Sequence, residues 1–140
     1  MALTTRKDII NQMIYILEQL DYIITVTRWR DTDAEPFDPE ECPALNIKDG
    51  NAPITHNVSN DEHALSVTLD IHSTSRVSAD EIESLLGDLA EKITANDTWG
   101  GYSDGSSIDS HNINITHTGD IITSGTLEIT VIYTTDRGKL

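Results

Sequence analysis

The sequence is poor in cysteine and in basic residues, and each shortage excludes a class of protein. The single cysteine, Cys42, excludes an intramolecular disulfide and a cysteine-based metal cluster, and it favours a reducing compartment. Nine Lys and Arg residues stand against 24 Asp and Glu residues, which gives a formal net charge of −15. Because so few cations can displace counterions from a phosphate backbone, we expect no recognition of nucleic-acid sequence.

Long apolar runs and catalytic signatures are also lacking. No apolar run approaches the roughly 20 residues that span a bilayer, so we expect no membrane association and no secretory signal. Neither a Gly-x-Ser-x-Gly turn nor a phosphate-binding loop occurs, and the five histidines do not follow a ligand spacing. We therefore expect no enzyme activity, no cofactor and no metal site.

The patterns that are present predict one domain over residues 1–140. Apolar residues at helical spacing predict a first helix from residue 5 to about residue 20, and a capping box at Ser78 and Glu81 predicts a second over 78–95. Alternating residues predict strands at 23–30, 43–47, 64–72, 110–118 and 126–135, with turn residues at 119–120 and 124–125. The expected fold is α+β, with a mixed or antiparallel sheet of about four to five strands and two helices packed against it.

Two loops are candidate contact surfaces. Residues 31–41 contain six acids, two prolines and no basic residue, a composition that predicts an exposed loop. Residues 96–107 carry Trp99 beside two glycines, which predicts a large ring on a mobile connection. The expected interaction residues are Asp31, Asp33, Glu35, Asp38, Glu40, Glu41, Trp99, Tyr102 and Asp104. For residues 31–41, a solvated loop without a partner and weak divalent-ion binding are the alternative interpretations. Trp29 and Trp99 are typical of partly buried core aromatics, with an interface position as the alternative, which the neighbouring glycines favour for Trp99.

The whole chain resembles the tail terminator proteins of long-tailed bacteriophages, the U-type minor tail proteins. The matching parts are the opening helix with Arg6, the segment 42–47 after the acidic loop, the strand and helix over 64–95, the connection 97–101, and the last strand with Tyr133. The resemblance implies a structural protein that forms a hexameric ring on the completed tail tube. Such a ring stops tube polymerisation and offers a surface to the head–tail connector protein.

The resemblance also implies a location and partners. The protein would lie at the head-proximal end of the tail in the virion, and in the host cytoplasm during assembly, with the tail tube protein, the connector and further copies of itself as partners. A neck or head-completion protein that binds the portal side is the first alternative. An acidic inhibitor that mimics DNA and binds a basic host protein is the second, and a small metal-assisted hydrolase ranks last.

Overall fold

A computed structural model of the chain describes residues 5–32, 34–73, 79–116 and 122–140. It contains two helices, α1 (Arg6–Leu17) and α2 (Ala79–Ala95), and a short 3₁₀ helix at Pro39–Glu41. The strands are β1 (Thr25–Arg28), β2 (Ala44–Asp49), β3 (Ile54–His56), β4 (Asn60–Ser73), β5 (Gly105–Thr116) and β6 (Ile122–Asp136). The predicted α+β fold is confirmed, with six described strands where four to five were expected.

The strands form one mixed sheet in the order β1-β2-β4-β6-β5, and β3 pairs beside β4. β1 runs parallel to β2, and all other neighbours are antiparallel. The centre of the sheet is the long β4–β6 pair, in which residues 60–73 face residues 123–136. β1 and β5 are therefore the outer strands of the described sheet.

Both helices lie on one side of this sheet, because alternate strand residues and one face of each helix are apolar. Every second residue of β4 from Asp61 to Ser73 is buried, and β6 repeats the pattern. The helical core residues are Ile9, Ile10, Met13 and Leu17 of α1, and Ile82, Leu86, Leu89 and Ile93 of α2. Burying each such side chain stabilises the fold by about 1.5–3 kcal/mol.

Helix α1 begins with a capping box formed by Thr5 and Asp8. Thr5 caps α1: its Oγ1 accepts from the Asp8 amide at 3.3 Å, and the Asp8 carboxylate accepts from the Thr5 amide at 3.1 Å. α1 ends at Leu17, before the predicted Leu20, which is still part of the core. The predicted cap Ser78 lies outside the described residues, as do residues 117–118 of the predicted strand and residues 119–120 of the predicted turn.

The predicted turn at residues 124–125 was wrong. Ser124 and Gly125 lie inside β6, paired with His72 and Ile71 of β4. Gly125 is glycine because α2 passes directly above it: a Cβ there would lie 2.8 Å from Ile82 Cγ2. The same residue type that marks turns marks here a close approach of a helix to a strand.

Candidate functional site

The face of the sheet opposite the helices is mostly polar. It carries the alternate residues that do not enter the core, such as Ser66, Thr68 and Asp70 of β4 and Glu128 and Thr130 of β6. These side chains are half-buried or exposed. We call this side of the sheet the open face.

Carboxylates on the open face are tied to hydroxyl groups of neighbouring strands. Asp70 of β4 accepts a hydrogen bond from Thr126 of β6 at 2.8 Å and forms an ion pair with Lys48 of β2 at 2.8 Å. Ser110 of β5 donates to Glu128 of β6 at 2.8 Å. Further bonds of this kind are Thr130 to Asp109 at 2.5 Å and Thr134 to Asp104 at 2.6 Å. The acidic groups are therefore held in place before any partner binds, which lowers the entropy cost of binding.

The acidic loop, residues 31–41 between β1 and β2, closes around the guanidinium of Arg30, which directly precedes it. Arg30 donates to the carboxylate of Glu41 at 2.8 Å, to the carbonyl of Glu35 at 2.8 Å and to the carbonyl of Pro36 at 3.0 Å. Its Cζ also lies 4.2 Å from the centre of the Phe37 ring. The hydrogen bond from Arg30 lowers the pKa of Glu41. One arginine thus orders a segment whose composition alone predicts a solvated loop.

Phe37 fixes where the loop lies on the sheet. Its ring centre is 5.2 Å from that of His72, which lies on the open face near the end of β4. Burial lowers the pKa of His72, and its Nε2 is buried without a hydrogen-bond partner among the described residues. The acidic loop therefore covers the corner of the open face formed by β2 and the end of β4.

The predicted interaction residues of the loop fall into three groups. Asp31, Glu35, Asp38 and Glu40 are exposed, Glu41 is half-buried against Arg30, and Asp33 lies outside the described residues. The Asp38 amide donates to Glu41 Oε1 at 3.1 Å at the start of the 3₁₀ helix. Contact with a partner through these residues stays a prediction.

The interpretation of Trp99 as an exposed contact residue on a mobile segment was wrong, and its interpretation as a core residue is confirmed. Its side chain is fully buried in the core, and its indole N–H donates to Ser106 Oγ at 2.9 Å. The backbone turns sharply at this point, with a φ of 49° at Trp99 and positive φ at Gly100 and Gly101. The glycines permit the turn that carries the ring inward, rather than leaving it on a flexible segment. Trp99 is therefore not available to a partner.

The other two predicted residues of that segment remain at the surface. Tyr102 is 41% exposed, and Asp104 is exposed with its carboxylate bonded to Thr134. Thr134 pairs with Glu62 of β4. Glu62 lies ten residues along the same strand from His72, the residue that the acidic loop covers. Ten strand residues span about 33 Å. The structure therefore does not bring the two predicted contact segments together.

Trp29 is a candidate contact residue, although the sequence predicted a core position for it. It is 57% exposed, and its φ of 52° ends the predicted strand early, at Arg28. Its amide donates to the Ile47 carbonyl at 2.9 Å and its indole N–H to the Asp49 carbonyl at 3.0 Å, so the exposed ring has a fixed position. The available signal was its position between Arg28 and Arg30, because Trp and Arg are enriched at binding hot spots.

Asp49 joins two arginines below this tryptophan. Its buried carboxylate accepts from Arg6 Nε at 2.8 Å and from Arg28 Nη2 at 2.7 Å. Burial alone would raise the pKa of Asp49, but the hydrogen bonds from Arg28 and Arg6 lower it to about 2. This cluster fixes α1 to β1 and β2.

A shallow groove of about 530 Å³ lies between the start of β1 and α2. Its apolar wall consists of Tyr22, Ile24, Pro43 and Leu85, and its carboxyl groups are Asp21, Asp80 and Glu81. Among the described residues that line it there is no histidine, cysteine or lysine. Within the described part of the chain, no group of three or more His, Cys, Asp or Glu side chains is placed to hold a metal ion.

Comparison with known proteins adds no family assignment. No protein-family model matches the chain, and no curated protein matches it. No helix among the described residues is long and apolar enough to cross a membrane.

Proposed function

We propose that this protein is the tail terminator of a long-tailed bacteriophage, a hexameric ring that caps the completed tail tube and presents a surface to the head–tail connector. The observation that carries the proposal is the order of parts on which the resemblance rests. An opening helix, an acidic loop before β2, the long β4 followed by α2, the turn at Trp99 and the final strand β6 all occur among the described residues, in that order.

The two-layer architecture supports an assembly role. Because both helices lie on one side of the sheet, the part of the open face that the acidic loop does not cover remains available for contact with other chains. Its carboxylates are already ordered by neighbouring hydroxyl groups and by Lys48. A pre-ordered polar surface favours specific docking over non-specific adhesion, because mismatched partners leave its polar groups unsatisfied.

The mechanism is end-capping and involves no substrate. One face of the ring complements the last ring of tube subunits, and the opposite face lacks the surface that recruits another tube ring. The net charge of −15 keeps free subunits apart through like-charge repulsion until geometric complementarity, or a tube end with sixfold symmetry, offsets it.

The test is the loss of this chain from the phage genome that encodes it, with tails measured by negative-stain electron microscopy. We expect tubes of uncontrolled, excessive length that carry no heads, and tails of normal length when the chain is supplied in trans. Tails of normal length that fail to join filled heads would instead identify a neck protein. Unchanged particles, together with tight salt-sensitive binding to a host nucleic-acid-binding protein, would favour the DNA-mimic alternative.

A further inference from the structure

Exposed large apolar side chains flank the two outer strands of the sheet. β1 and β5 end the strand order, and among the described residues each has one edge that pairs with no other strand. Trp29, 57% exposed, directly follows β1. Ile108, 37% exposed, lies within β5, and the exposed Tyr102 lies three residues before the start of β5. An unpaired strand edge beside exposed apolar side chains is suited to pairing with another chain.

We propose that the occupant of these edges is a second copy of this chain: the β1 edge of one copy pairs with the β5 edge of the next. This inference rests on the proposed function, because a ring needs two different, complementary surfaces on each subunit. A head-to-tail contact of this kind closes into a ring when the rotation between neighbours closes. The contact would extend one sheet into the next.

Strand directions fit this contact. β1 is parallel to β2, and the three steps from β2 through β4 and β6 to β5 are each antiparallel, so β1 and β5 run in opposite directions. Copies in a ring whose axis follows the strands are related by a rotation that preserves strand direction. β1 of one copy therefore meets β5 of its neighbour as an antiparallel pair, the more stable and more frequent arrangement.

The two edges also lie at the same level of the sheet. One row of paired residues crosses all five strands of the main path: Arg28, Ile47, Leu69, Leu127 and His111. The end of β1 on one edge is thus level with the middle of β5 on the other. In a closed ring no shift along the axis occurs between neighbours, so pairing requires edges at equal levels.

The side chains near this level complement each other. The register of β5 shifts between Ile108 and Ser110, which leaves Asp109 as the extra residue of a bulge. In the proposed contact the exposed ring of Trp29 packs on the exposed side chain of Ile108. The Trp29 indole is already hydrogen-bonded in the single chain, so little side-chain freedom is lost on contact.

The first test uses one substitution on each edge. Trp29→Glu and Ile108→Glu each place a charge in the contact, and Tyr15→Glu is the control, because Tyr15 is 62% exposed on α1 and belongs to neither outer strand. Masses are measured by light scattering after circular dichroism has shown that each variant is folded. We expect the wild type and Tyr15→Glu to form hexamers, and each edge variant to associate at least about tenfold more weakly.

Mixing the two edge variants tests the head-to-tail arrangement itself. The Trp29→Glu chain keeps a functional β5 edge, and the Ile108→Glu chain keeps a functional β1 edge. An equimolar mixture should therefore form heterodimers and nothing larger. A face-to-face contact, in which the same patch is used twice, gives no such heterodimer.

Cross-linking tests which residues of β1 and β5 face each other in the proposed contact between copies. Thr27 and Asn112 lie in one row of the sheet, through Asn46, Asp70 and Thr126. In a Cys42→Ser background, Thr27→Cys combined with Asn112→Cys should give a ladder of cross-linked species up to six chains with a short bis-maleimide. Either cysteine alone should give no ladder.

The outcomes separate this contact from the proposed function. Hexamers that persist in both edge variants, or dimers cross-linked through a single cysteine, would overturn the β1–β5 contact while leaving the ring intact. Absence of the ladder both in solution and on isolated tails would also overturn it. Tail length in the absence of the chain decides the terminator function independently of either result.

Discussion

At the residue scale, three arginines hold carboxylates in fixed positions. Arg30 orders the acidic loop, and Arg6 and Arg28 share the buried carboxylate of Asp49. Composition predicted that the loop is acidic and exposed, but not that a cation just before it would close it. Nor could it predict which tryptophan is buried, since that depends on the turn after α2 and on the bond from Trp99 to Ser106.

The Arg30→Lys substitution tests the order of the acidic loop. Lysine keeps the charge but not the planar fork that reaches Glu41 and the two loop carbonyls together. We expect amide hydrogen exchange in residues 31–41 to accelerate about tenfold, the equivalent of one charge-assisted hydrogen bond. Arg137→Lys, at an exposed position after β6, is the control. Equal exchange rates in both variants would show that Arg30 does not order the loop.

The Asp49→Asn substitution tests the buried ion cluster. Because the folded pKa of Asp49 is about 2, below its ordinary value of 3.8, the charged group stabilises the fold above pH 4. That contribution is lost as the pH falls from about 4 to about 2. At pH 7 the variant should lose about 1–3 kcal/mol of unfolding free energy, measured by urea denaturation.

The pH series supplies the decisive comparison for Asp49. The difference in unfolding free energy between the wild type and Asp49→Asn should shrink as the pH falls from 4 towards 2. Gly87→Ala, a change in α2 that involves no titratable group, should show no such convergence. A difference that stays constant down to pH 2 would contradict the low pKa of Asp49.

At the scale of helices and strands, periodicity predicted both helices and five of the six described strands, but not their ends. The ends depend on single backbone conformations, such as the positive φ of Trp29 that terminates β1. Strand β3, only three residues long and exposed, carries no buried alternation from which it could be predicted. Gly125 was read as a turn residue because sequence alone does not reveal that α2 lies above it.

The Gly125→Ala substitution tests the packing of α2 on β6. The added methyl would lie 2.8 Å from Ile82 Cγ2 and 2.9 Å from Leu86 Cδ1, so these side chains or the helix that carries them must shift. We expect a loss of about 1–3 kcal/mol in unfolding free energy, measured by urea denaturation. Gly87→Ala is the matched control: Gly87 is an exposed residue of α2 with no atom near its Cβ position, and alanine there should stabilise by up to about 1 kcal/mol. Equal effects at both positions would contradict the close packing.

At the scale of the whole molecule, the fold class followed from the pattern of elements, but the surfaces did not. Which side of the sheet the helices leave open depends on the strand order, and this order includes a parallel β1–β2 pair and the separate strand β3. The strand order determines which strands form the two edges of the sheet and where the acidic loop crosses the open face. The proposed ring uses the edges for contact between copies and leaves the open face and the loop for other partners.

The growth of tail tubes in the presence of this protein tests the terminator proposal most directly. The tube protein of the same phage is polymerised with and without the purified chain, and tube lengths are measured by electron microscopy before and after fresh tube protein is added. The account predicts tubes that carry a sixfold ring at one end and do not lengthen further at that end. Tubes that bind no ring and lengthen equally in both conditions would contradict it.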